Sequence, residues 1–163
     1  MDTITLFKMQ KALDSHIELQ HKLENDDLFD RKILALLVEI GELANETRCF
    51  KFWSVKPSSE QDIVLEEFVD GVHFILSLGI ECGYEDIEDI TQNRSTVTDT
   101  SSQFLAVYES VQKFRDSRSK KDYIDLFGSY MRLAELIGLQ EAQIEQAYIQ
   151  KNEVNYDRQR NGY

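Results

Sequence analysis

The chain has 163 residues, 42% of them hydrophobic and 29% charged, which suits one domain with a sizeable core rather than a disordered segment. Its net charge of −12 argues against a surface built to grip nucleic-acid backbones, and no apolar run approaches the roughly 18 residues of a membrane span. A small anionic substrate stays open, provided that a bound cation or a few placed basic residues supply positive charge.

The N-terminal MDTITLFKMQ lacks the basic-then-apolar pattern of a signal segment. Cys49 and Cys82 match no CxxC spacing, so free thiols in a cytoplasmic protein are expected. Apolar residues recur at three- and four-residue steps, which predicts a first helix over about 6–23. An acidic turn, ENDDLFD, leads to a second helix over about 31–48, with Asp30 as its expected N-cap.

CFKFWSVKPSSEQ breaks the periodicity and holds Pro57, the only proline, so it reads as a loop. A third helix is expected from about Ser59 to Glu81, ending at Gly83. The hydroxyl-rich stretch from Thr91 to Ser102 reads as an exposed loop or link. Helical patterns resume over about 103–118, 123–137 and 141–156, and YDRQRNGY closes the chain as a tail. The expectation is a single all-α domain with five or six helices.

The second and third helices carry the chemistry. At about 100° per residue, Glu39, Glu42 and Glu46 fall within roughly 60° of one another. An apolar face of Ile33, Leu37, Ile40 and Ala44 is expected beside them, with Leu36 and Leu43 bridging towards the acids. On the third helix, Glu67 and Asp70 stand among Ile63, Val64, Phe68, Val69, Val72, Phe74, Ile75 and Leu76. A carboxylate there has little water and needs a counter-charge, and few basic residues are near in sequence.

Each helix thus offers an acid pair at i, i+3. If the helices pack antiparallel across the loop, four carboxylates can converge. Hard oxygen donors in that number suit Mg²⁺, with Mn²⁺ as an alternative, rather than zinc. Gly41 and Gly71 adjoin these acids, where glycine costs about 1 kcal/mol against alanine, so close helix approach or substrate access is expected to offset them. An E-x-x-E pair taken alone is usually a solvated face, and that reading stands beside the metal reading on spacing alone.

At these residues the chain resembles the dimeric all-α dUTPases, within the larger MazG-like group of all-α nucleotide pyrophosphatases. The group's E-x-x-E and E-x-x-D stand here as Glu39-Ile-Gly-Glu42 and Glu67-Phe-Val-Asp70. MQKALD is similar to the family's LQ-x-x-LN, CFKFWSVK to its Trp/Lys-rich loop, and DGVHFILSLG to its D-x-x-HF-x-x-S helix. KNEVNYDRQRNGY is similar to its closing K-x-x-x-N-x-x-R-Q-x-NGY. The acids identify only the superfamily, and the last two segments point to dUTPase.

The resemblance implies a helical bundle that hydrolyses dUTP, and dUDP with it, to dUMP. Mg²⁺ would be held by Glu39, Glu42, Glu67 and Asp70. Glu39 would orient or deprotonate the attacking water, with Glu46 and Glu66 as substitutes. Lys51, Lys151 and Arg158 would meet the phosphates, Gln10 would hydrogen-bond the base, and Trp53, His73 and Phe74 would wall its pocket. Asn155 would touch the sugar or the α-phosphate.

A homodimer is implied, with no nucleic-acid polymer and no membrane as partner. Against these roles stand plainer ones: Phe74 as core, His73 as a structural hydrogen-bonder, Lys151 and Arg158 as solvated charges. The chain departs from the family at Asp14, where asparagine is common, and in the Trp/Lys loop, where Lys56 competes with Lys51. The NGY tail, about 156–163, is expected to order over bound nucleotide. The rival functions are a pyrophosphatase that is dCTP-directed or broader, and a non-catalytic helical adaptor.

Overall fold

The computed structural model describes residues 1–87 and 97–162, and in these it has six helices and no strand. They are α1 (Thr3–His21), α2 (Phe29–Thr47), α3 (Gln61–Glu81), α4 (Thr100–Ser117), α5 (Lys120–Leu136) and α6 (Glu141–Arg160). The all-α expectation holds, with ends shifted by a few residues. The first half of the expected Thr91–Ser102 loop lies outside the described residues. Its last part is already helical, because Asp99 accepts from the Ser102 amide and starts α4 at Thr100. At the other end, α6 continues four residues past Tyr156, and Tyr163 lies outside the described residues.

Asp30 is not the cap of α2. Leu28 holds that position, and the Asp27 carboxylate accepts from the Phe29 amide at 3.0 Å. Asp30 sits in the first turn instead, where the Arg115 guanidinium of α4 donates to both its oxygens at 2.9 and 3.1 Å. Gly83 follows α3 at φ +73, a left-handed conformation that lets the Tyr84 amide fold back onto the Gly79 carbonyl.

α3 is the centre of the bundle and packs against α1, α2, α5 and α6, while α4 lies on α5 and α2. Its mid-section explains this, since Phe68, Val69, Val72, Ile75, Leu76 and Leu78 are all buried. Ile63, near the start of α3, is 45% exposed, and Phe74 is only partly buried. α2 and α3 run antiparallel, as expected. Lys32 at the start of α2 pairs with Glu81 at the end of α3, and Ser59 just before α3 donates to Glu46 near the end of α2.

The apolar face of α2 differs from the expected one. Its buried stripe runs through Ile33, Leu36, Ile40 and Leu43, while Leu37 and Ala44 are only partly buried. Leu36 and Leu43 are therefore core, not a bridge. The stripe is turned roughly 50° towards the acids, at about 100° per residue.

Three tyrosines explain the glycines inside α2 and α3. Tyr130 of α5 donates to the Phe68 carbonyl at 3.0 Å, and a Cβ on Gly71 would lie 2.1 Å from its hydroxyl. Tyr123 donates to the Ile75 carbonyl at 3.0 Å over Gly79, where a Cβ would lie 2.4 Å from the hydroxyl. Tyr108 of α4 donates to the Leu37 carbonyl at 3.2 Å beside Gly41. Close helix approach is what these glycines allow. Cys49 and Cys82 are both free thiols.

Candidate active site

The antiparallel pairing of α2 and α3 brings acids from both helices to one place. Glu39, Glu67 and Asp70 each offer an oxygen, and the three oxygens lie within 4.8 Å of one another. Glu42 is not in that group. It is exposed on the outer side of α2, because the core stripe passes nearer Glu39 than Glu42. Its charge still raises the carboxyls of Glu39 and Glu67.

The cluster is electrostatically frustrated. Burial, then the charges of Asp70, Glu42 and Glu67, push the Glu39 carboxyl up to about 7. Burial and the neighbouring acids also raise Glu67, and burial raises Asp70. Such a set of half-buried, mutually repelling oxygens fits a hard divalent cation, which would relieve both the desolvation and the repulsion.

A close counter-charge comes from α6. Lys151 donates to Asp70 Oδ2 and to Glu66 Oε1, each at 2.8 Å, with a side chain only 10% exposed. Burial works against its ammonium, but the bonds to Asp70 and Glu66 outweigh it and hold its pKa above the ordinary value. Arg158, two turns further along α6, lowers the carboxyls of Glu66 and Asp70 by its charge.

Beside the cluster lies a cavity of about 360 Å³ between α1, α2, α3 and α6. Glu39 and Asp70 line it together with Gln10, His73, Phe74, Asn155 and Arg158. Seven of the twelve residues singled out in the sequence therefore share one cavity wall. Glu67 and Lys151 adjoin it through Glu39 and Asp70, and Glu42 does not line it. Lys51 and Trp53 do not line it. They belong to the loop after α2, where Trp53 is 64% exposed and meets the rings of Phe50 and Phe52 edge-on, and the Lys51 ammonium lies 5.4 Å from the Phe50 ring. Glu46, a substitute for Glu39 in the sequence reading, is engaged by Ser59, and Glu66 by Lys151.

The end of the cavity away from the acids is a polar network. Gln10 is buried, its Nε2 donating to Asp14 Oδ1 at 2.7 Å, and its Oε1 accepting from the Tyr148 hydroxyl at 2.7 Å and lying 2.8 Å from His73 Nδ1. Ser77 donates to the other oxygen of Asp14 at 2.6 Å, and Lys32 stands 3.8 Å from that oxygen. The His73 ring stacks on Tyr148 with centroids 4.2 Å apart. Burial, then the Lys151 charge, lowers the His73 pKa to about 3, so the imidazole is neutral.

Sequence reasoning missed Lys32, Ser77 and Tyr148. Tyr148 carried no signal, as a tyrosine on a helical face reads as core. Ser77 lies in the segment quoted for the resemblance, and its polarity on an otherwise apolar helix was a usable sign.

No helix among the described residues is long and apolar enough to cross a membrane. Among curated proteins, none matches this chain. The sequence model of the dUTPase family does match, over residues 2–163. With acids paired on α2 and α3, a cavity beside them and a match of nearly full length, the chain belongs to the all-α dUTPase family, hydrolases that act on the phosphate chain of dUTP.

Proposed function

We propose that this dUTPase is Mg²⁺-dependent, accepts dUDP as well as dUTP, and binds the nucleotide with its phosphates at the acidic cluster and its base at the Gln10–His73 end of the cavity. The observation that carries this is one cavity with carboxylates of α2 and α3 at one end and the hydrogen-bonded Gln10–His73 group at the other.

Glu39, Glu67 and Asp70 would hold the cation, with Glu42 adding charge from outside the close group. A bound divalent cation supplies neutralisation of the polyphosphate and lowers the pKa of the attacking water. Glu39 takes the proton from that water, a role open to a carboxylate that lines the cavity. Lys151 and Arg158 move their charge from the acids to the phosphates, and Arg158 can fork onto two oxygens. Phe74 packs on the base, His73 bonds its edge, and Asn155 meets the sugar or the α-phosphate. Gln10 acts on the base through His73, whose Nδ1 its Oε1 meets, and with the second hydrogen of its Nε2. Lys51 and Trp53 complete the site from the loop after α2, and the C-terminal end orders over the bound nucleotide.

The same reading includes a cytoplasmic homodimer. Leu34 and Val38 on α2 are 63% and 49% exposed, and Leu105 on the adjoining α4 is 70% exposed, an apolar surface of the kind that self-association covers. Sedimentation of the protein with Leu105→Glu tests the dimer, and an unchanged mass would remove this surface from it.

The function is tested by turnover of dUTP, dUDP, dCTP, dTTP and UTP with Mg²⁺ added and then chelated. Turnover confined to dUTP and dUDP and lost on chelation is expected. Equal turnover of dCTP, or hydrolysis that survives chelation, contradicts the proposal.

A further inference from the structure

The hydrogen bonds joining Asp14, Gln10 and His73 have only one consistent direction. An ionised carboxylate has no proton to give, so Gln10 turns its Nε2 towards Asp14 Oδ1. That orientation places Oε1 at the other side, where it accepts from Tyr148 and meets His73 Nδ1. A carbonyl oxygen only accepts, so Nδ1 is the nitrogen that carries the hydrogen. In a neutral imidazole Nε2 is then a bare lone pair. Nε2 is buried without a hydrogen-bond partner, in a residue that is 6% exposed and lines the cavity. A buried acceptor left unpaired is unfavourable, and a donor on a ligand would satisfy it.

Asp14 accepts from Gln10 on one oxygen and from Ser77 on the other, so it is tied to the Gln10–His73 chain. Lys32 stands behind it and favours the ionised form, against the burial that raises its pKa. We infer that Asp14 is a specificity-determining positioning residue, which acts through Gln10 to fix His73 as the Nδ1–H tautomer. A base that seats against His73 and reaches this buried nitrogen meets a bare lone pair, which accepts from a pyrimidine with a ring N–H, as in uracil, and opposes one with a ring lone pair, as in cytosine. This rests on the proposed placement of the base beside His73. A carboxylate enforces the direction where asparagine does not, since a flipped asparagine amide would donate to Gln10 and reverse the chain to an Nε2–H imidazole.

The test uses the full chain labelled with ¹⁵N at its 3 histidines. Nuclear magnetic resonance of the nucleotide-free protein should show His73 with hydrogen on Nδ1 and none on Nε2, and added dUMP should shift the Nε2 resonance. Asp14→Ala should mix the two tautomers and lower the ratio of kcat/KM for dUTP over dCTP by roughly tenfold or more. Asp14→Asn, which stays close in shape, should fall between the two, and it carries the comparison if the alanine variant does not fold. Hydrogen on Nε2 in the unmodified protein overturns the inference. So does a folded Asp14→Ala or Asp14→Asn protein with both the tautomer and the dUTP-to-dCTP ratio unchanged. An Nε2 resonance that ignores dUMP, with Nδ1–H in place, overturns the placement of the base and leaves the tautomer control standing.

Discussion

Lys151 on α6 sets its ammonium 2.8 Å from Oδ2 of Asp70 on α3, across 81 positions of sequence. The half-buried acid therefore has its counter-charge, though none lies near it in the chain. The same ammonium competes with any cation for that oxygen. Lys151→Met should tighten Mn²⁺ binding to the nucleotide-free protein by about tenfold, the scale of one charge-assisted hydrogen bond. It should also lower kcat/KM for dUTP, since the phosphates lose a partner. Calorimetric titration with Mn²⁺ measures the first effect, and weaker Mn²⁺ binding would refute the competition.

The pH dependence follows from Glu39. Its carboxyl titrates at about 7 in the folded protein against an ordinary value of 4.5. Between those values the folded state binds more protons than the unfolded one, so the cation-free protein loses stability as pH rises through that window. Glu67 and Asp70 are also raised and act in the same direction. Mg²⁺, which prefers the charged acids, should offset the loss above neutrality. Urea unfolding at about pH 5 and about pH 8, with and without Mg²⁺, checks this. Cation-free stability that increases over the same range would contradict it.

The three clustered acids and Glu42 should separate in a mutational series. Asp70→Asn and Glu39→Gln remove oxygens of the close group and should each cost more than roughly 100-fold in kcat/KM. Glu42→Gln, outside it, should stay within the roughly 10- to 100-fold typical of a group that supports a ligand. Steady-state rates at saturating Mg²⁺ decide the ranking. A Glu42 variant as poor as the Asp70 variant would show that Glu42 joins the group when cation and nucleotide are bound.

Gly71→Ala tests the bundle itself. The added methyl would lie 2.1 Å from the Tyr130 hydroxyl and 2.7 Å from the ring carbon bearing it. Overpacking of this kind costs about 1–3 kcal/mol. Adding Tyr130→Phe removes the nearer atom and should recover part of that loss, which denaturant midpoints would show. An equal loss in the double variant would place the clash elsewhere.

Much of this arrangement was legible in the sequence, for local reasons. Two acids at i, i+3 necessarily share a helix face, and the apolar surroundings of Glu67 and Asp70 showed that their face is not a solvated one. Which acid of the α2 pair turns inwards was not legible, because Leu36 and Leu43 could pack as core or as margin. Their burial turned the helix and left Glu42 outside. The links from Lys151 to Asp70 and from Gln10 to His73 join helices distant in sequence, and no periodicity encodes them. The loop with Lys51 and Trp53 has no helical register, so its composition gave no position relative to the cavity.

Asp70 and Ser77 sit on one unbroken helix and face the same cavity, seven residues and therefore about 10 Å apart. In the proposed function this makes α3 a gauge. The span between the anion end and the base end is set by the pitch of a single rod, not by how separate parts happen to dock. Lengthening the spacer between sugar and phosphate would leave one terminus of the molecule unmatched, whatever base it carried.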